Sequence, residues 1–365
     1  MPIHEVKTTI IRLLCAIGIL IFTIETNALS VDNESQHAVS ITSESTALLN
    51  RIQSEINAEN QYSAIRMTLK LDHYWTQPEF DQSYGNYVKN YSSGLLIPNA
   101  LELNTDNRQN LLLILHRFSA TLKSENVDFK FGLQRFPLGV GRIWRPTDVI
   151  NSFNPVDIMN MNNAGQWGGG LTYSLAELSQ IHLFTVLNAT THINGARMQF
   201  NVAQSDVGIS VIEHPSGSVI GVDAVGEWVG YGIGTYSEWS WRDNMSQYVI
   251  GFDTILSDQI SLFTEYYVNG WGQDLSNYTG DVSAFKTSSN YIGSQIGYQF
   301  TPLLVGQLKT IIDINRSSFL LLPQMGYSLQ EHIDIGAGIL LPFDQGGASF
   351  TGITTTAYFW LNSYF

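Results

Sequence analysis

The sequence predicts an all-β fold, a transmembrane antiparallel β-barrel, and three observations lead to this prediction. Apolar and polar residues alternate in runs of about 9 to 12 residues, the length that a tilted strand needs to cross a bilayer. Tight turns alternate with longer links that contain Gly, Asp, Asn and Ser. The last ten residues form a further alternating run that ends on Phe365.

The N-terminus has the pattern of a secretory signal peptide. Arg12 precedes an apolar run over residues 13–24, and small residues follow up to Ala28. The run is too short for a membrane-spanning helix, which needs about 20 apolar residues. We therefore predict a cleaved signal peptide over residues 1–28. The mature chain would then lack cysteine, because the sole Cys15 lies inside the run.

Composition narrows the class of protein further. The chain has 17 Tyr, 18 Phe and 8 Trp, but only 14% of its residues are charged, whereas a soluble domain usually has about 25%. The net charge of -14 argues against a nucleic-acid partner. No later stretch approaches 18 consecutive apolar residues, so a chain that enters the membrane must do so as a closed barrel.

Residues 29–60 are predicted as a periplasmic N-terminal extension ahead of the barrel. Apolar residues in its second half fall at helical spacing and predict a short helix: Ala47, Leu48, Leu49, Ile52 and Ile56. We interpret the extension as a linker, with a plug or a partner-docking segment as the alternative.

The barrel is predicted over residues 61–365, where the hydrophobic period changes to two. Its first strand has Ile65 and Leu71 on one face and Arg66 and Asp72 on the other. In a soluble sandwich the apolar face would pack on a core, whereas in a membrane barrel it faces lipid and the charged face lines the lumen. The pattern predicts 16 strands, with 18 as the alternative, because bacterial single-chain barrels have even strand numbers.

The C-terminal strand resembles the segment that the outer-membrane barrel-insertion machinery recognises. Phe359, Leu361 and the final Phe365 lie on alternate positions. The resemblance implies a Gram-negative outer membrane as the location, with lipid and lipopolysaccharide around the wall. Five tryptophans are predicted to form interfacial girdles: Trp75, Trp239, Trp241, Trp271 and Trp360.

Alternation stops between residues 136 and 170. Loops of this length are usually functional or disordered, and this one has too many aromatic and aliphatic residues for disorder. We predict that it folds into or across the lumen as a constriction or plug. Gly139 and Gly141 would permit a tight turn with positive φ, and Pro146 and Pro155 would stiffen the path.

The charged residues at this segment allow two interpretations: Arg135, Arg142, Arg145, Asp148 and Asp157. The guanidinium groups could sort anionic solutes at the constriction, since rings of charge set pore selectivity. Alternatively, nearby carboxylates neutralise them and the pairs fasten the loop to the wall, which we favour. Trp144 is a candidate for stacking against a solute ring.

Residues 132–157 resemble a family of porin-like outer-membrane proteins. In that family a strand ending in Gly-x-Gln-Arg leads to Gly-x-Gly-x-x-Trp-x-Pro-Thr-Asp-x-x-Asn and then Asn-Pro-x-Asp. The resemblance implies a barrel of this size in the outer membrane and implies little about substrate, because many members are uncharacterised. This chain departs from the pattern at Phe136-Pro137-Leu138, where a Trp commonly precedes the first Gly.

No motif for catalysis, phosphate binding or metal binding is present, and no cofactor is implied. We expect a non-enzymatic, porin-like channel for passive diffusion of small hydrophilic solutes. The first alternative is a scaffold barrel that encloses or docks a partner protein, such as an electron-transfer or export component. A barrel enzyme and a soluble β-sandwich are the others.

Overall fold

A computed structural model describes residues 28–43, 45–77, 100–105, 109–151, 165–189, 191–228, 230–270, 290–343, 350 and 353–365. The predicted signal peptide lies outside the described residues except for Ala28. Among the described residues there is no helix that is long and apolar enough to span a membrane.

Nineteen strands form one antiparallel sheet. Their bounds are β1 (Ala28–Ile41), β2 (Thr46–Glu59), β3 (Ser63–Gln77), β4 (Ala100–Thr105), β5 (Gln109–Lys123), β6 (Val127–Gln134), β7 (Gln166–Ala176), β8 (Ser179–Leu187), β9 (His192–Val202), β10 (Ser205–His214), β11 (Gly217–Trp228), β12 (Ile233–Arg242), β13 (Met245–Ser257), β14 (Ile260–Asn269), β15 (Asn290–Thr301), β16 (Leu304–Asp313), β17 (Ser318–Gln330), β18 (Ile333–Phe343) and β19 (Thr356–Tyr364).

The sheet closes on itself because β1 pairs with both β2 and β19. Gln36 of β1 lies opposite Arg51 on one side and Asn362 on the other. One edge of β5 pairs directly with β3. The other edge of β5 pairs with β4 over its first residues and with β6 over its last residues. β4 therefore lies outside the wall, which has 18 strands. The predicted number of 16 is wrong and the alternative of 18 is confirmed.

The helix predicted within residues 29–60 is also wrong, because these residues form β1 and β2 of the wall. Leu48, Ile52 and Ile56 are four residues apart, and this spacing places them on one face of a strand as well as on one face of a helix. β2 pairs with β1 and β3 over its whole length, so non-local hydrogen bonds decide between the two.

The connections differ in length between the two ends of the barrel. The N-terminus of β1 and the C-terminus of β19 lie at the same end, which we call the turn end. Short connections such as 203–204 and 302–303 lie there, while the long connections 78–99, 135–165 and 270–289 lie at the opposite loop end. This is the alternation that the sequence predicted.

The two faces of the wall differ as predicted. Outward residues are apolar and exposed, for example Leu183 and Ile250, and Trp239 and Trp241 also face outward. Trp360 does not, because its register places it opposite the inward Ala38. The girdle prediction is therefore wrong for Trp360, which packs inside the barrel, and Trp271 lies outside the described residues.

Candidate functional site

Residues 135–151 follow β6 and fold into the lumen; we call them the lumen segment. One part of it packs on the inward side chains of β8 to β11. Phe136, Leu138 and Ile150 form a buried cluster with residues of that wall, and the rings of Phe136 and Phe184 are 5.6 Å apart. The segment was predicted to extend to residue 170, but β7 already begins at Gln166. Pro155 and Asp157 lie outside the described residues.

A second part of the lumen segment packs on β14 and β15, further along the same side of the wall. Trp144 stacks on Tyr267 of β14 at 5.1 Å between ring centroids and lies 6.0 Å from Tyr291 of β15. Phe350, from the connection between β18 and β19, belongs to the same buried cluster. Trp144 is only 7% exposed, so the structure places the candidate stacking residue in the packing of the segment. The segment thus lies along the inner side of β8 to β15, between two apolar clusters.

Glu238 of β12 binds the lumen segment through its backbone. Its carboxylate accepts the N–H groups of Val140, Gly141 and Thr147 at 2.8, 3.1 and 2.6 Å. The hydroxyl of Thr147 donates to it as well, at 2.7 Å. Glu238 is buried, so these dipoles stabilise a charge that has no solvent around it.

Glu265 of β14 has the same role for the next residues. It accepts the backbone N–H of Arg142, and those of Ile143 and Trp144 at 3.0 and 3.1 Å. The hydroxyl of Tyr236 also donates to it, at 3.0 Å. We call Glu238 and Glu265 the anchor carboxylates. Sequence reasoning missed both, because each is one acidic residue at an inward strand position, far from the segment in the chain.

The two glycines of the segment are required for different reasons. Gly139 has φ +74°, in the left-handed region, as the sequence predicted. Gly141 is not among the described residues with positive φ. A Cβ atom on Gly141 would lie 1.8 Å from the carbonyl oxygen of Trp144. The close turn of the backbone, rather than φ, therefore excludes a side chain there.

The structure places Arg142 and Arg145 in different contacts. Arg142 forms an ion pair with Asp253 of β13 at 2.9 Å, and its guanidinium lies over the rings of Tyr236 and Phe263. Arg145 donates from Nε to the carbonyl oxygen of Gly141 at 2.8 Å. The segment is fastened mainly by backbone N–H groups on the anchor carboxylates, and Arg142 adds one ion pair.

Asp148 caps the turn at the end of the segment. Its Oδ1 accepts from the backbone N–H and the side-chain amide of Asn151 at 2.8 and 2.9 Å. Asn151 also donates to the carbonyl oxygen of Phe136 at 2.6 Å, which closes the segment on itself. Oδ2 of Asp148 is buried without a hydrogen bond among the described residues. Burial raises the pKa of Asp148 to about 7, although nearby Arg135 and Arg145 oppose this shift.

Cations line the inward face of β3, β5 and β6, and we call them the basic wall: Arg66, Lys70, Arg117 and Lys130. Asp72 on the same face is paired with Arg51 at 2.7 Å. Within the described part of the chain, Arg66, Lys70 and Lys130 have no carboxylate within ion-pair distance. Asp72, Glu238 and Glu265 are thus engaged, while Arg66, Lys70 and Lys130 form no ion pair within the described residues.

The fold and the site define a class: a closed antiparallel barrel with a segment fixed inside its lumen. No protein-family model and no curated protein matches the chain. Solved structures with a similar fold include OccK5 (OpdH) of Pseudomonas aeruginosa, with a TM-score of 0.58 and 9% identity over 92% of this chain and 96% of that one. OccAB2 of Acinetobacter baumannii has a TM-score of 0.58 and 9% identity, covering 93% and 98% of the two chains.

A third similar structure is OpdK of P. aeruginosa with vanillate. It has a TM-score of 0.58 and 9% identity, covering 93% of this chain and 99% of that one, and OpdK is an outer membrane protein. At this level of identity the likeness shows the fold.

Proposed function

We propose that the protein is a porin-like channel of a Gram-negative outer membrane, through which small hydrophilic solutes diffuse passively. The observation that carries this proposal is the lumen segment, held inside the barrel by the anchor carboxylates Glu238 and Glu265. A segment fixed in this way occupies part of the lumen and so narrows the passage for solutes. The similar barrel OpdK is an outer membrane protein, which supports the same location here.

The outer surface is consistent with this location. Exposed apolar residues face outward along the strands, as hydrocarbon requires. Phe359, Leu361 and Phe365 lie on the outward face of β19 or at its end, and we propose that they form the signal for the barrel-insertion machinery. Lipid and lipopolysaccharide would surround the wall.

We further propose that the solutes are anionic. The chain has a net charge of -14, but the inward carboxylates near the lumen segment already accept backbone N–H groups or pair with arginine. The exposed Arg66 and the half-buried Lys130 of the basic wall have no such partner, so the local field favours anions. Vanillate, which is bound in a structure of OpdK, is an aromatic carboxylate and would suit such a field.

The test is conductance of the detergent-purified protein in planar bilayers under a salt gradient. We expect stable conductance steps and a reversal potential on the anion-selective side. The double variant Arg66→Gln/Lys130→Gln should shift the reversal potential toward cations. Arg316→Gln, in the turn after β16, removes a cation from the loop end and should shift it less.

A barrel without conductance would overturn the channel proposal. A protein that copurifies with such a silent barrel would then favour the scaffold alternative. Stable steps with an unchanged reversal potential in the double variant would retain the channel and reject the anionic solutes.

A further inference from the structure

A row of polar side chains crosses the outer surface of β1, β2 and β3. Nδ1 of His37 and Oδ1 of Asn50 are 2.9 Å apart, and Nδ2 of Asn50 and Nδ1 of His73 are 3.3 Å apart. The three residues are direct cross-strand partners. We call them the polar row.

Strand register places the polar row on the outward face. Asn50 is adjacent in the chain to Arg51, and His73 is adjacent to Asp72. Arg51 and Asp72 form the buried ion pair inside the barrel. Because successive side chains of a strand point to opposite faces, Asn50 and His73 point away from the lumen. His37 lies opposite Asn50 and shares its face.

The row lies within the depth of the apolar band. His37 is four residues along β1 from Asn33, which pairs with the C-terminal Phe365 at the turn end. Four residues of a strand tilted by about 40° rise roughly 10 Å, within an apolar band about 25 Å tall. Apolar residues of β2 and β3 flank it on both sides: Leu48 and Trp75 lie toward the loop end, and Ile52 and Leu71 toward the turn end. On β1 the neighbour of Ile52 is Ser35.

The described residues of β8 to β19 do not form such a row. On the described strands β8 to β19, outward histidine, amide and acidic side chains lie within three residues of a strand end: His192, Asn194, Glu213 and Asn290. Polar groups of this kind are costly against hydrocarbon. The position of the polar row therefore indicates contact with something other than lipid.

The hydrogen bonds of the row indicate what that contact must supply. A neutral histidine has one donor and one acceptor nitrogen. The side-chain oxygen of Asn50 accepts from Nδ1–H of one histidine, so Nε2 of that ring is an acceptor. The side-chain NH₂ of Asn50 donates to Nδ1 of the other histidine, so Nε2–H of that ring is a donor. This holds for either orientation of the Asn50 amide. Within the described residues neither Nε2 has a hydrogen-bond partner.

We propose that a second copy of this chain covers the polar row in a face-to-face dimer. The row presents one Nε2 donor and one Nε2 acceptor, so an identical row supplies the complementary acceptor and donor. A two-fold dimer brings the same patch of both subunits together. Lipid tails have neither a hydrogen-bond donor nor an acceptor. This assembly goes beyond the channel function and requires only that the barrel is embedded in a bilayer.

The test uses cysteine crosslinking on the full chain in lipid nanodiscs. In a Cys15→Ser background, Ile52→Cys places a thiol beside the polar row, and Ile250→Cys places one on β13. Both isoleucines face outward and are about half exposed, at 49% and 57%. We expect oxidation to give a covalent dimer for Ile52→Cys and monomer for Ile250→Cys.

A second measurement tests the hydrogen bonds themselves. Native mass spectrometry should give twice the chain mass for the unaltered protein and the single chain mass for His37→Leu/Asn50→Leu/His73→Leu. The matched control is Thr264→Val/Ser294→Ala, which removes the outward pair Thr264–Ser294 on β14 and β15 and should stay dimeric. Conductance per chain should be the same in the unaltered protein, the triple leucine variant and the control variant. Loss of the dimer is therefore distinguishable from loss of the channel.

Three outcomes would overturn the proposal. One is a monomer that does not crosslink at Ile52→Cys. Another is that the unaltered protein is a monomer with bound lipid and that the triple leucine variant does not bind this lipid, because a lipid would then occupy the polar row. The third is a complex with a different protein at this face. The crosslinking arm remains decisive if the triple variant does not fold.

Discussion

Thr147 donates both its backbone N–H and its hydroxyl to the carboxylate of Glu238, at 2.6 and 2.7 Å, and neither residue is accessible to solvent. The contact joins the lumen segment to a strand 91 residues further along the chain. Hydrogen bonds to a charged group stabilise a fold by about 1.5–3 kcal/mol each. Removing the segment from the lumen would break several of them at once.

Loss of an anchor carboxylate should therefore widen the passage. In Glu238→Gln and in Glu265→Gln, one acceptor oxygen is replaced by an NH₂ group that faces N–H donors. We expect docking of the segment to weaken by about 1.5–3 kcal/mol per lost bond and single-channel conductance to rise. Planar-bilayer recordings measure this, with Glu213→Gln on the outer surface as the control. Unchanged conductance in both anchor variants would contradict the prediction.

A methyl group at Gly141 should disrupt the same segment. In Gly141→Ala the new Cβ would lie 1.8 Å from the carbonyl oxygen of Trp144, so the turn must open. We expect the fluorescence of Trp144 to move toward that of an exposed indole and conductance to change. Gly169→Ala is the matched control, because its Cβ would meet its nearest atom at 3.5 Å, an ordinary contact. Equal behaviour of the two variants would argue against the tight turn.

The ion pair between Arg142 and Asp253 should limit anion preference. Both side chains are partly exposed, so a double-mutant cycle with Arg142→Gln and Asp253→Asn should give a coupling of only about 0.2–1 kcal/mol. Asp253→Asn removes a lumen carboxylate and leaves Arg142 without its counter-ion. We expect a reversal potential more anion-selective than that of the unaltered protein. A shift toward cations would show that Arg142 does not face the passage.

Asp148 should make the lumen segment sensitive to pH near neutrality. Its pKa is raised by burial from 3.8 to about 7, so the folded state holds the proton more tightly than the unfolded state. The docked segment therefore loses stability as pH rises from about 4 to 7, and the site gains a negative charge. We expect anion preference to decrease as pH rises from 6 to 8, measured by reversal potential. Asp148→Asn should abolish the change; if the pH dependence remains in this variant, another group causes it.

Local pattern predicted most of the wall and failed at its first two strands. The period of two is visible in residues 61–365 because each strand has one apolar and one polar face. In β2, the spacing of Leu48, Ile52 and Ile56 is compatible with a helix and with a strand. The pairing of β2 with β1 and β3 removes the ambiguity, and pairing partners are not encoded in a local pattern.

The sequence predicted the position of the lumen segment but not how the segment is attached to the wall. Its interrupted alternation and its glycines indicated a folded excursion, and Gly139 has the positive φ that was expected. The attachment through Glu238 and Glu265 was not predictable, because an inward acidic residue in an alternating strand resembles any other lumen residue. Arg142 pairs with Asp253 of the wall, and Asp157 lies outside the described residues.

The sequence by itself determined that the chain forms strands with one apolar face, because the alternation of side chains is a local property of the extended backbone. Only the tertiary structure decided which strands close the barrel and which carboxylates hold the lumen segment. The same is true of the polar row of His37, Asn50 and His73. Closure, anchoring and the row all bring together residues from separate strands, and burial and hydrogen-bond geometry arise only when those strands are in register.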